Sequence, residues 1–462
     1  MMRLAVIGTG YVGLVSGACF AEKGHTVVCV DVDPAKVAMV NCCKPPIYED
    51  GLQELLDRNV PARLSATTDL REAILTSDVS LIAVGTPFDG EEIDLSYIVG
   101  ASQQIGRALA AHEGWHTVIV KSTVVPGTTE DVVLPILERE SGRRAGHDFG
   151  VGMNPEFLKE GEAIADFMSP DRIVIGGIDE RSIRVQRELY QVFPEVAMLE
   201  TTPRTAEMIK YTANSLLATL ISFSNEIGNL SAAIGVDVAE AMRGVHLDKR
   251  LTPFSGNGDR VKPGLLTYLA AGCGFGGSCF PKDVKALVAH GRRAGASMDL
   301  LQSVIEVNRR QPGKMIDLLR RTRSDLNGAR ISVLGVAFKP GTDDVRESPS
   351  LSVIQSLIDM GALVTVYDPV AQHEAERLFG SSIAYAATLA EAVSNADAIL
   401  VMTAWPEFRQ LPLLIERQVR TPFVIDGRRI LDKFSVPAYA GIGLPFAGAP
   451  TADTYPEDLP PR

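Results

Sequence analysis

The chain is poor in the residues that mark several protein classes. Six cysteines in 462 residues stand at scattered spacings, and none forms a Cys-x-x-Cys pair. That spacing suggests neither a zinc site nor a disulfide framework, so reduced thiols and a cytoplasmic location are expected. Positive charge is also in deficit: 45 Lys and Arg against 57 Asp and Glu leave a formal net charge of −12. This balance argues against nucleic acid as a partner and gives no reason to invoke a membrane surface. An anionic small ligand stays open, because helix N–H groups and a few basic side chains can hold phosphate. No apolar run reaches spanning length. Leu4 to Phe20 comes nearest, but Gly8, Gly10, Gly13 and Gly17 interrupt it, so neither a membrane helix nor an export leader is expected there. At 46% hydrophobic and 22% charged residues, the composition is that of a globular protein with sizeable cores. The length suits about two to four domains.

Those early glycines have a different explanation. Leu4-Ala-Val-Ile is a short apolar strand, Gly8-Thr-Gly10-Tyr-Val-Gly13 follows, and an apolar helix runs on through Ala21. Thr26–Val30 is the next strand and ends at Asp31. Strand, glycine turn, helix, strand and acid in this order are the fingerprint of a dinucleotide site. Gly10 lets the backbone approach a pyrophosphate, and Gly13 lets the helix pack on the sheet. Asp31 is placed to accept from a ribose 2′-hydroxyl and would repel a 2′-phosphate, which favours NAD over NADP.

Further apolar strands at Val79–Val84, Thr117–Val120 and Arg172–Ile175 extend an α/β sheet. Gly85-Thr-Pro and Lys121-Ser-Thr-Val-Val-Pro-Gly follow two of them, at strand ends where ligands bind in such sheets. Ala206 to Ala233 lacks proline and has a helical apolar pattern, whereas 244–264 is irregular and rich in glycine and proline. A second α/β unit opens at Ile331-Ser-Val-Leu-Gly, continues through helix Leu351–Met360, and reaches strand Leu363–Tyr367 with Asp368 at its end. It lacks the tight Gly-x-Gly-x-x-Gly, so a different nucleotide is expected there. The expected architecture is α/β: two Rossmann-like domains joined by a long central helix and a helical middle domain. The boundaries read 1–203, 204–312 and 313–445, with a tail over 446–462 that is expected to lack fixed structure.

Residues 272–283, Gly-Cys-Gly-Phe-Gly-Gly-Ser-Cys-Phe-Pro-Lys-Asp, combine a sharp turn with a thiol. Pro281 suits the first turn of a helix, and Val284, Leu287 and Val288 give it an apolar face. A thiol at a helix start lies near unpaired N–H groups and the positive end of the dipole, which favour thiolate. Asp283 stands one turn beyond Cys279 on the same face. Nucleophile and carboxylate together point to covalent catalysis; the plain alternative is an inert cysteine in a glycine-rich loop. Lys210 and Asn214, also one turn apart, project together from the long helix. They suit stabilisation of an oxyanion, or else form a solvated face. Glu156 and Glu160 are four residues apart and would reach one pocket if their segment were helical or turn-like.

The string 272–283 resembles the signature of the UDP-glucose/GDP-mannose dehydrogenase family. Asn154-Pro-Glu156-Phe157-Leu158-Lys159-Glu160-Gly161, Lys210-Tyr-Thr-Ala-Asn214, Asn225-Glu226 and Phe338-Lys339-Pro-Gly-Thr-Asp-Asp-Val-Arg346-Glu-Ser-Pro resemble further family motifs, as do Val84-Gly-Thr-Pro and Asp94-Leu-Ser-Tyr. The resemblance runs to about residue 430. It implies an NAD-dependent double oxidation of a sugar C6 alcohol, in a cleft between the end domains. Cys279 would carry the substrate as a thiohemiacetal and then a thioester. Asp283 and Lys210 would take the first proton through a water near Thr123, Asn214 would orient the oxyanion, and Glu156 would activate water for hydrolysis, with Glu160 nearby.

Cofactor contacts are expected from Gly8, Gly10, Tyr11, Val12 and Gly13, and from Asp31, Lys36, Thr86 and Thr123, with Arg346 contributed by the C-terminal domain. Substrate contacts are expected from Glu156, Phe157, Leu158, Lys159, Lys210 and Asn214, and from Tyr268, Gly276 and Lys339. The family's Asp-x-Arg-Ile-Gly segment has two counterparts here, Asp248-Lys-Arg250-Leu and Asp259-Arg260-Val, so either Arg250 or Arg260 is its arginine. The Phe280-Pro-Lys-Asp ending favours UDP-glucose, with GDP-mannose or a UDP-hexosamine as alternatives. A homodimer through the middle helices is expected, and no metal. Two rival readings are a two-electron hydroxyacid or sugar dehydrogenase and a non-catalytic NAD or nucleotide-sugar sensor.

Overall fold

A computed structural model of the chain describes residues 1–446. The tail expected from residue 446 lies outside these residues, apart from Phe446. By packing, the chain forms two compact units: Met1–Ala213 with Lys285–Ala296, and Asn214–Val284 with the chain from Ser297 onward.

The first unit is built on eight strands: β1 (Arg3–Ile7), β2 (Thr26–Val30), β3 (Leu64–Thr67), β4 (Val79–Ile82), β5 (Thr117–Val120), β6 (Gly150–Met153), β7 (Ile173–Gly177) and β8 (Met198–Thr201). Their order is β3-β2-β1-β4-β5-β6-β7-β8. All neighbours are parallel except β6 and β7. Alternation along β1 shows why its residues are uniformly apolar. Leu4 and Val6 enter one core with Val27, Cys29 and Leu81, while Ala5 and Ile7 enter the other with Ile82 and Val118. A strand covered on both faces has no polar side to present.

The second unit repeats this plan with β9 (Arg330–Leu334), β10 (Leu363–Tyr367), β11 (Ala384–Tyr385), β12 (Ala398–Val401), β13 (Phe423–Asp426) and β14 (Tyr439–Gly441). All neighbours are parallel, in the order β11-β10-β9-β12-β13-β14. Both sheets therefore reverse direction beside their first strand, and the crevice at the strand carboxyl ends there is where open α/β sheets take ligands.

The long helix spans Pro203–Ala233, three residues earlier than its proline-free pattern implies. Proline fits the first helical position, where its missing N–H would have no intrahelical partner. At about 1.5 Å per residue its 31 residues extend roughly 46 Å. Ala206 and Ile209 pack into a core of the first unit, and Leu220 and Ile227 against that of the second. The chain between 244 and 264 is α-helical only at its start, the end of helix Val238–His246, and thereafter forms turns with one bridge between Phe254 and Arg260 until a 3-10 helix opens at Gly264.

Candidate active site

In the first unit, the turn after β1 shows why each glycine is needed. Gly8 has φ +100, its N–H donates to Val30 O at 2.7 Å, and a Cβ there would stand 2.6 Å from Ala83 O. A Cβ on Gly13 would stand 1.9 Å from Gly8 O, so the helix Tyr11–Glu22 rests directly on the turn. A Cβ on Gly10 would meet nothing within 4 Å. That opening lies at a helix N-terminus, where unpaired N–H groups and the dipole favour an anion. Tyr11 and Val12 beside it are half-buried.

Asp31 follows β2 and accepts from the Thr9 N–H at 2.9 Å, the Thr9 hydroxyl, and the Asp33 N–H at 3.0 Å. Burial pushes its pKa up, but these donors and the charge of Lys36 outweigh burial and hold it below the usual carboxylate range. One oxygen takes both Thr9 donors and the other takes only Asp33, which leaves acceptor capacity for a ribose hydroxyl. Thr86 donates to Thr123 O at 2.8 Å and so joins the loops after β4 and β5. Turn, helix start, acid and strand ends fit the two phosphates and ribose of NAD.

A second group in this unit follows β6. Asn154 Nδ2 donates to Val174 O at 2.8 Å, and Asn154 Oδ1 accepts from Lys121 Nζ at 2.8 Å. Two residues on, Glu156 Oε1 lies 2.7 Å from Lys210 Nζ, with each side chain 4% exposed. Glu156 Oε2 accepts from the Leu158 N–H at 2.6 Å. Burial would raise the Glu156 pKa; Lys210, the Leu158 N–H and the charge of Lys121 more than cancel that and lower it. The Phe157 ring carries the Arg172 guanidinium at 3.8 Å and has Lys210 Nζ at 5.6 Å.

Residues 154–159 form neither helix nor strand, and the side chains of this stretch differ in surroundings. Glu156 is buried and Glu160 half-buried, while Lys159 is exposed and pairs with Glu162 at 2.6 Å and Asp166 at 3.3 Å. Glu49 secures the end of the segment, accepting from the Gly161 and Ala163 N–H groups at 2.7 Å each.

The thiol group belongs to the second unit. Cys279 directly precedes helix Phe280–Arg293, and its carbonyl accepts the Asp283 N–H at 2.8 Å, so Cys279 is the N-cap residue. Its Sγ lies 3.6 Å from Ser278 Oγ, and the residue is half-buried, unlike the buried Cys273. Asp283 is 1% exposed and accepts from Asn214 Nδ2 at 2.7 Å and Lys282 Nζ at 2.6 Å.

The loop leading to the thiol is tightly held. Gly277 has φ +83, and a Cβ on Gly276 would stand 2.4 Å from Glu347 O. Asn308 brackets Phe275, accepting from its N–H at 2.8 Å and donating to its carbonyl at 2.9 Å. Asn225 accepts from the Gly272 N–H at 2.7 Å, and Gln311 donates to the Gly272 carbonyl at 2.8 Å. Sequence reading missed Asn308 and Gln311. Their only signal is two amides on the amphipathic stretch around helix Asp299–Arg310.

The remaining expected contacts also lie in the second unit. Lys339 is half-buried after β9, and Arg346 pairs with Asp344 at 2.8 Å on an exposed turn. The Tyr268 ring is 6.2 Å from that of Phe280. Arg250 is exposed and ion-paired with Asp248, whereas Arg260 donates to Leu247 O at 2.7 Å and stacks on Phe254 at 4.7 Å.

Asp368, the counterpart of Asp31, is spent differently. Its carboxylate accepts from the N–H groups of Val336, Ala337, Val370 and Ala371 and from the Trp405 indole. Five donors leave it no capacity for a ribose, so this unit does not repeat the dinucleotide site.

Comparison with known proteins accounts for both units. Three models of the UDP-glucose/GDP-mannose dehydrogenase family match in series: the NAD binding domain over residues 2–194, the central domain over 204–310 and the UDP binding domain over 332–433. The chain belongs to the UDP-glucose/GDP-mannose dehydrogenase family. It is 45% identical over 437 residues to UDP-glucose 6-dehydrogenase AglM of Haloferax volcanii, covering 94% of this chain and 98% of that one. It is 41% identical over 468 residues to UDP-glucose 6-dehydrogenase TuaD of Bacillus subtilis, covering 100% and 97%. The solved UDP-glucose dehydrogenase of Pyrobaculum islandicum superposes with a TM-score of 0.88 at 39% identity, covering 96% and 98%. As a member of this family the chain is an NAD-dependent oxidoreductase of nucleotide sugars. No helix among the described residues is long and apolar enough to cross a membrane.

Proposed function

We propose that the chain oxidises the C6 alcohol of UDP-glucose to the carboxylate of UDP-glucuronate by two successive two-electron steps. The observation that carries this reading is the placement of Cys279 at a helix N-cap, one turn before an Asp283 held by Asn214. An alcohol dehydrogenase that stops at the aldehyde has no use for a nucleophilic thiol there. NAD, when bound by the Gly8–Gly13 turn and Asp31, accepts hydride at each oxidation.

Asp283 receives the C6 hydroxyl proton by way of water in the first step. Cys279 Sγ then adds to the aldehyde carbon, and the resulting oxyanion is met by the Lys210 ammonium and the Asn214 amide, which stand one turn apart on the long helix. Loss of the second hydride from this oxyanion to NAD leaves a thioester. Glu156, ionised in its pairing with Lys210, takes a proton from the water that attacks the thioester, and the carboxylate leaves as the thiolate is restored. Each sugar consumes one water and yields two NADH.

The UDP moiety is assigned to residues 332–433, with Lys339 among its contacts, and Arg346 is kept as the contact this region offers to NAD. The chain is further proposed to form a homodimer. Leu216, Phe223 and Leu230 of the long helix are 54%, 52% and 55% exposed and recur every seven residues, a seam suited to the same helix of a second copy. All six cysteines are free, which accords with the reducing cytoplasm. The test is a panel of UDP-glucose, GDP-mannose and UDP-hexosamines with NAD, counting NADH per sugar consumed. UDP-glucose with two NADH supports the reading; preference for another sugar reassigns the substrate, and one NADH per sugar removes the thioester route.

A further inference from the structure

Lys121 is the one lysine of the first unit that the proposed reaction leaves without a task although it is buried among the reacting groups. It directly follows β5 and is 3% exposed. Its Nζ donates to Asn154 Oδ1 at 2.8 Å and to the Tyr190 hydroxyl at 3.4 Å, and Tyr190 donates in turn to Asn154 Oδ1. These partners are uncharged. Hydrogen bonds to neutral groups do not offset the burial of an ammonium, and an apolar side chain of similar length would serve packing better. The nearby countercharge is Glu156, already engaged by Lys210 at 2.7 Å. The cluster thus sets two cations, Lys121 and Lys210, around the carboxylate of Glu156.

We infer that Lys121 is a positioning residue for the proposed reaction, its buried ammonium fixing the strand ends that carry Thr123 and Glu156 and setting the charge on the Glu156–Lys210 pair. The positional part follows from register. Lys121 stands two residues before Thr123, and Asn154 two before Glu156, so their bond ties the end of β5 to the end of β6. The electrostatic part follows from sign. A second cation favours the carboxylate form of Glu156. Burial pushes Lys121 itself down to about 8, with Lys210 acting in the same direction and Glu156 against it. Also facing this cluster are the Tyr190 phenol, which burial keeps neutral, and the Arg172 guanidinium on the Phe157 ring.

This inference rests on the assignment of Glu156 and Lys210 as reacting groups. The test is the pH profile of kcat with UDP-glucose and NAD for wild type, Lys121→Gln, Lys121→Met and Tyr190→Phe. Gln keeps a donor towards Asn154 without the charge, Met keeps neither, and Tyr190→Phe keeps the charge while removing the two hydrogen bonds of the phenol. Both Lys121 variants should move the acid limb, set by Glu156, upward by about one pH unit, a tenfold change in proton concentration. Tyr190→Phe should leave that limb in place. A Lys121→Gln profile that superimposes on wild type makes Lys121 a structural staple and overturns the inference, as does failure of both Lys121 variants to fold. Wild type that forms no NADH overturns the functional assignment itself, and the inference with it.

Discussion

Asn214 Nδ2 donates to Asp283 Oδ2 at 2.7 Å, tying the long helix to the helix that begins behind the thiol. The bond reaches a carboxylate that is 1% exposed and whose other oxygen is held by Lys282 Nζ at 2.6 Å. Asn214→Ala should lower kcat roughly 100-fold, the order seen when a positioned proton-transfer group is lost. The KM for NAD should stay within about twofold. Steady-state kinetics with UDP-glucose decides this, and an unchanged kcat would detach Asp283 from the chemistry.

Asp31 has two duties, since it braces the Thr9 turn and faces the expected ribose. Asp31→Ser removes the carboxylate that would reject a 2′-phosphate and a charged acceptor worth about 1.5–3 kcal/mol. The KM for NAD should rise about 10- to 100-fold, and the preference for NAD over NADP should shrink. Initial rates with the two cofactors measure both effects.

The seam on the long helix yields an assembly prediction. Phe223→Glu places a charge at the centre of the Leu216–Phe223–Leu230 row, where pairing with a second copy would bury it without a partner. Light scattering should find wild type as a dimer and the variant as a monomer at micromolar concentration. A monomeric wild type would refute the proposed assembly.

Lys121 also makes stability depend on pH. Its pKa is about 8 folded and 10.5 unfolded, so between these values the unfolded chain holds more protons. Unfolding free energy therefore rises with pH across that window as the cost of the buried charge is relieved. The cost is fully present below pH 8. In urea unfolding of the cofactor-free protein, wild type should gain about 2 kcal/mol on Lys121→Met between pH 7 and 9.5. A constant difference would mean that Lys121 does not titrate in this window.

Much of the fold was legible because two local rules are strong. Strands such as Thr117–Val120 are buried on both faces, so their apolar runs stand out between turns. Gly8 and Gly13 are fixed by backbone approaches that exclude a Cβ, and such constraints leave a mark in sequence. The start of the thiol helix was readable from Pro281. Long-range pairing was not readable. Asp31 and Asp368 end equivalent strands, yet five donors saturate only Asp368, and several of those donors lie more than 30 residues away. Asn308 and Gln311 brace the thiol loop across comparable separations. Lys121 resembles an ordinary loop lysine until β5 and β6 are set side by side.

The most direct test of the central claim is the number of NADH formed per UDP-glucose consumed, measured with wild type and Cys279→Ser. The account predicts two NADH and a uronate for wild type, and for the variant no steady turnover or arrest at an intermediate. One NADH per sugar, or a Cys279→Ser enzyme that forms uronate at the wild-type rate, would contradict it.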